Sequence, residues 1–185
     1  MMRLIVLAAL LAGSMAHAVE FNSLQADRSS IAFVSKQMNV PVEGAFKKFT
    51  AHIALDPARP EAGSAQIEID LAGIDAGSAE ANDEVKGKNW FNVREFPKAS
   101  FVSATVKALG GGRFEANGKM SIKGKTVEMR ASFTARQEKD ALILDGVFPL
   151  KRLDYGIGSG IWGDTSVVAD EVQIKFHFQV NAVKK

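Results

Sequence analysis

The chain has 185 residues, no cysteine, and 23 Lys and Arg against 21 Asp and Glu, for a formal charge of +2. Both signs are interspersed, which excludes the concentrated basic face that nucleic acid requires. Without cysteine, and with only the three histidines His17, His52 and His177, neither a disulfide framework, a thiolate nucleophile nor the usual kind of zinc site can be assembled.

The chain opens with the basic start Met1, Met2 and Arg3, an apolar run from Leu4 to Ala12, and the small-residue sequence "AHA" at Ala16 to Ala18. This is the pattern of a cleavable secretory signal peptide over residues 1–18. The apolar run is roughly half of the ~20 residues a membrane span needs, and no cysteine follows to carry a lipid anchor. Residues 19–185 are therefore expected as one exported domain, periplasmic and without an integral membrane segment.

Strand-like alternation dominates the rest of the chain. A first strand is expected from Ser30 to Met38. In "FTAHIALD", Phe49, Ala51, Ile53 and Leu55 form the dry phase, and in "AQIEIDL" Ala65, Ile67, Ile69 and Leu71 do the same. Between Ser78 and Asn92 the pattern turns helical, with Ser78 or Asn82 as cap and Gly87 as a weak point. Then comes "KNWFNVREFPKASF", residues 88–101, where Trp90, Phe91, Phe96 and Phe101 crowd a stretch that Pro97 keeps from being a helix. Further strands are expected at Ser100 to Ala108, Arg113 to Ile122, Thr126 to Arg136 and Ala141 to Phe148, separated by turns at Gly110 to Gly112, Lys123 to Lys125 and Glu138 to Asp140. In "VQIKFHFQV", Val172, Ile174, Phe176, Phe178 and Val180 face inward. The class is all-β with one short helix, as a barrel or sandwich of antiparallel strands. Eight strands closing on themselves leave room for one small ligand, although a packed sandwich alternates in the same way.

Chemistry is sparse. His52 and His177 sit on the polar phases of their strands. The carboxylate pairs Glu68/Asp70 and Asp164/Asp170 offer an acid and a base in principle, yet they read as an outer strand face and a turn. The glycine-rich "YGIGSGIWGD", residues 155–164, has the look of a phosphate-binding loop, but the sequence after it is a strand, so no helix N-terminus meets an anion. It reads instead as an irregular connection with Ile157, Ile161 and Trp162 folded inward.

Four stretches, in order, carry a resemblance: "SSIAFVSKQMNVPVEGAFKKFTAHIALD" from Ser29, "NWFNVREFPKASFVS" from Asn89, "ANGKMSIKGKTVEM" from Ala116, and "FPLKRLDYGIGSGIWGDTSVVADEVQIKF" from Phe148. Together they resemble the bacterial YceI-like family across essentially all of residues 19–185. Many members carry a histidine near position 37; here the run is Lys36, Gln37, Met38, so no role for that histidine transfers. The resemblance implies an extended, eight-stranded, lipocalin-like antiparallel β-barrel whose apolar interior binds a polyprenyl lipid or isoprenoid quinone in the periplasm, with no catalytic residue and no cofactor besides that ligand. On that reading Phe33, Phe46, Phe49, Phe101, Met120, Phe148 and Phe176 line the cavity, Trp90 and Phe91 close its mouth, and Met38 and Met129 adapt to a branched chain. Arg152, Tyr155 and Trp162 are the donors available to a headgroup, and an ion pair between Arg152 and Asp154 is the structural alternative. Enclosing some fifteen carbons is worth roughly 12 kcal/mol before association costs.

Three functions compete: a lipid carrier or sequestering protein with a hollow barrel, an adaptor with a filled barrel and an exposed apolar patch, and a carboxylate hydrolase with a polar cleft. The first is preferred. A homodimer through an open sheet edge, or transient contact with a membrane or respiratory protein, is compatible with the sequence, which requires neither.

Overall fold

The structure is a computed structural model that describes residues 21–182; the expected signal peptide lies outside the described residues. Eleven strands follow one another: β1 (Phe21–Leu24), β2 (Ser30–Gln37), β3 (Val40–Phe46), β4 (Phe49–Ala54), β5 (Ser64–Asp70), β6 (Ile74–Asp75), β7 (Lys98–Gly110), β8 (Arg113–Ile122), β9 (Lys125–Glu138), β10 (Ala141–Lys151) and β11 (Glu171–Ala182). Among the described residues one α-helix, α1 (Ala79–Lys86), lies between β6 and β7, and Ser78 caps it by accepting a hydrogen bond from the Ala81 N–H.

Three pairs of consecutive short strands each act as one interrupted stave. Residues between β3 and β4 keep contact with the end of β5 and the residues that follow it, because Lys47 N–H donates to the Gly73 carbonyl and Asp70 N–H to the Lys48 carbonyl. Likewise Gln25 N–H reaches Gln179 across the break between β1 and β2. With β7 to β11 these make eight antiparallel staves. The circuit closes because β2 pairs with β3 and, at the far end, Phe21 and Leu55 exchange two backbone hydrogen bonds of 3.1 Å each. This is the expected lipocalin-like barrel, and the eight strands legible in the sequence fall on β2, β4, β5 and β7 to β11. The missed ones are informative. β3 contains Pro41 and Gly44, which read as breakers; Pro41 is tolerated because residues 40–44 pair only with β2.

One end of the barrel is solid. Register places Phe21 opposite Ala182, Leu142 opposite Val180 and Leu144 opposite Phe178, and all of these except Ala182 are almost fully buried. Toward the other end the walls diverge, since β9 pairs with β10 only as far as Phe133 opposite Gly146 and residues 125–132 have no partner on β10.

Large aromatic side chains lie along the wall instead of filling this wider part. Phe33 stands directly opposite Gly44, and Phe176 directly opposite Gly146. A Cβ on either glycine would overlap the facing ring. Each ring therefore rests on the bare backbone of its neighbour, and the lumen beyond it stays open.

Candidate functional site: a dry, two-chambered lumen

The lumen holds two adjoining chambers that share Ile31, Ile69, Met120 and Ile174 as walls. The inner one, of about 90 Å³, is lined by Phe101, Phe148 and Phe176 together with Phe133 and Phe178. The outer one, of about 520 Å³, is lined by Phe33, Phe46, Trp90, Phe91 and Trp162 among others, and opens to solvent beside Gln37, Glu80 and Glu84. Its volume lies in the range of small-molecule sites. The rings brace one another: Phe33 and Phe46 are 5.4 Å apart, Phe46 and Phe91 6.4 Å in an edge-to-face contact, and Trp90 and Trp162 5.5 Å.

The aromatic run that looks irregular in sequence is folded by the turn that ends α1. Trp90 N–H donates to Gly87, Phe91 N–H to Val85 and Val93 N–H to Lys86, which turns Trp90 and Phe91 onto the outer chamber. Trp90 Nε1–H is held by Glu84 at 3.1 Å. Phe96 goes elsewhere and packs against Gly124 of the β8–β9 turn.

Arg152 is the most thoroughly bound polar group of the site, and it is only 2 % exposed. Its Nε donates to the Ala169 carbonyl at 3.0 Å, Nη1 to Ile157 and Gly158 at 2.8 and 3.0 Å, and Nη2 to Trp162 and Val168 at 2.7 Å each. A guanidinium has five N–H donors, so all are engaged. Burial lowers its pKa, which the charge of Asp170 partly opposes. The glycine-rich loop is thereby explained. Gly156, Gly158 and Gly160 all have positive φ, and Gly158 both offers its carbonyl to Nη1 and leaves room for it, since a Cβ there would overlap Nη1.

Several expectations are corrected by these positions. Arg152 forms no ion pair with Asp154, which is exposed; the carbonyls of its own loop meet the guanidinium instead. Met38 lies in the β2–β3 turn with positive φ, 69 % exposed, and borders neither chamber. Phe49 leans on Phe178 at 5.9 Å and also lines neither. Tyr155 is buried in the core, where desolvation and Asp154 raise its pKa. Ile161 points outward at 80 % exposure. The residues missed by sequence reading, Phe133 above all, sit on the dry phase of β9 together with Val127, Met129 and Ala131, a phase as regular as that of the other strands.

The carboxylate pairs do not form a cleft. Glu68 binds Lys98 at 2.7 Å on the outer face, Asp70 caps Ala72, Asp164 binds Ser166, and Asp170 accepts from Leu153 N–H. Among the described residues no group of three or more His, Asp or Glu gathers as a metal site, and no helix is long and apolar enough to cross a membrane.

A closed antiparallel barrel, solid at one end and dry and hollow at the other, places the fold in the class of lipocalin-like barrels. The chain belongs to the YceI-like domain family, whose model matches residues 23–180. In solved structures it is similar to BcnA of Burkholderia cenocepacia, with a TM-score of 0.83 and 46 % identity over 85 % of this chain and 99 % of that one. It shares the fold of a polyisoprenoid binding domain from Saccharophagus degradans implicated in plant cell wall breakdown, with a TM-score of 0.67, 17 % identity, and coverage of 90 % and 100 % of the two chains. A UPF0312 protein of Azotobacter vinelandii is 31 % identical over 121 residues, and the match spans 62 % of each chain.

Proposed function

We propose that the protein binds the isoprenoid chain of a lipid, a polyprenyl lipid or an isoprenoid quinone, and sequesters or transports it in the periplasm without catalysing a reaction. The observation that carries this reading is the outer chamber of about 520 Å³ walled by aliphatic and aromatic side chains and continued inward by the smaller one. Burial of a chain there gains about 0.8 kcal/mol per methylene, and a preformed dry site loses little of it to reorganisation. A relative of the same fold being a polyisoprenoid binding domain supports the choice of chain. An exported location is supported by the signal-peptide pattern in residues 1–18.

The test is organic extraction of protein purified without detergent, followed by mass spectrometry. A stoichiometric isoprenoid lipid is the expected result; protein that carries none and takes up none from added lipid would refute the reading.

A further inference from the structure

The outer chamber also specifies the charge of the head that can follow a chain into it, an inference that rests on the lipid-binding reading above. Of the described residues that line this chamber, only Arg152, Glu80 and Glu84 carry charge. Arg152 has each of its five N–H groups on a backbone carbonyl, so it has no donor to offer a phosphate or carboxylate. To bind such a head it would have to abandon buried carbonyls, each of which would then keep its full desolvation cost with no hydrogen bond to offset it.

The two carboxylates stand at the opening. Glu80 and Glu84 lie one turn apart on α1, on the same face of the helix, and both are exposed. Glu84 is fixed in place by the indole N–H of Trp90 at 3.1 Å, which keeps its charge beside the ring that borders the chamber. Glu80 is held ionised by its own backbone N–H and the Ser78 hydroxyl, which lower its pKa. The remaining polar groups of the lining are the Ser35 and Gln37 side chains and the indole N–H groups of Trp162 and Trp90, the latter on Glu84; all are uncharged and suited to a carbonyl or hydroxyl head.

We propose that Glu80 and Glu84 make the mouth a charge filter, admitting long-chain lipids with an uncharged or cationic head and repelling those that carry a phosphate or carboxylate. The filter works through placement: the low-dielectric chamber walls strengthen charge interactions at its rim, while bulk salt weakens them.

The experiment displaces the fluorescent probe N-phenyl-1-naphthylamine from delipidated full-length mature protein with dodecanol, dodecylamine or dodecyl phosphate, at pH 7.5 and low salt. Dodecanol and dodecylamine are expected to compete at about tenfold lower concentration than dodecyl phosphate. In the double variant Glu80→Gln/Glu84→Gln the gap is expected to shrink to about twofold; the amide oxygen introduced at position 84 still accepts from Trp90, and circular dichroism confirms the fold. Raising salt to 1 M on the unmodified protein shrinks the gap without any substitution. Equal or tighter competition by dodecyl phosphate overturns the proposal, as does a gap that survives both the double substitution and high salt. If the probe does not bind and none of the three competes, the lipid-binding reading fails first and takes the filter with it.

Discussion

The guanidinium carbon of Arg152 lies 5.8 Å from the centre of the Trp90 ring, so the cation caged by the 156–169 loop also backs the aromatic wall of the outer chamber. Loop, cation and ring form one unit. Ser159 N–H ties it further, donating to the Asn89 carbonyl at 2.8 Å, and Lys123 Nζ donates to the carbonyls of Lys88 and Gly156.

Removing the cation leaves five carbonyls without their donor. Arg152→Met is expected to destabilise the protein by at least about 3–5 kcal/mol, since each buried carbonyl left without a donor costs about 1–3 kcal/mol and several are left at once. Arg152→Lys keeps the charge but offers three donors in a different geometry, and falls in between. Urea unfolding followed by tryptophan fluorescence reads both, since Trp90 and Trp162 report on the unit.

The Phe176–Gly146 pair keeps the lumen open. Gly146→Ala puts a Cβ into the Phe176 ring and the ring is driven toward the inner chamber. The expected outcome is a loss of about 1–3 kcal/mol, typical of overpacking, together with a reduced load of co-purifying lipid by native mass spectrometry. Unchanged stability and load would show that the ring does not depend on the glycine.

Filling the inner chamber should separate binding from folding. Ala131 is buried and lines that chamber, so Ala131→Phe places a ring in existing space of about 90 Å³. Because the ring enters existing space, the stability loss is expected to stay within the about 1–3 kcal/mol of a small-to-large core change, while bound lipid shifts to shorter chains or is lost. Mass spectrometry of the extracted lipid, set against the unmodified protein, checks this.

Two pH limits are set by the titrating groups. Asp75 is held below its ordinary value of 3.8 by the Lys47 ammonium, with the Gly77 N–H contributing. The contribution of a depressed carboxyl is complete above 3.8 and disappears as pH falls through the lower folded value. Asp75→Asn is therefore expected to flatten the loss of urea midpoint between about pH 4 and pH 2. Tyr155 titrates above its ordinary 10.0 because it is buried, so its contribution is complete below 10.0 and fades as pH rises toward the folded value. Tyr155→Phe should flatten that alkaline loss in the same measurement.

Much of this molecule is written locally. Alternation in residues 30–37, 49–54, 64–70 and from 98 onward is enough to draw the long strands, and Ser78 caps the helix as expected, because pleat and capping depend on neighbours a few positions away. The helical pattern expected to run to Asn92 instead ends at Lys86, with Gly87, read as a weak point, as its C-cap. Four ordered stretches suffice for the family; Met120 and Phe148 can be placed toward the lumen from strand phase, whereas Trp90 and Phe91, on no regular element, are placed at its mouth only through the resemblance.

Which strand stands beside which, and in what register, is settled only in the folded chain. That Gly146 faces Phe176 across 30 residues of chain, that Phe21 closes the circuit on Leu55, and that Arg152 finds loop carbonyls in place of Asp154 all depend on pairings between distant segments. Side-chain periodicity states which face is dry but carries no record of the opposite residue. A hollow barrel and a filled one therefore share the same alternation, and only the partners across the strands make this one hollow.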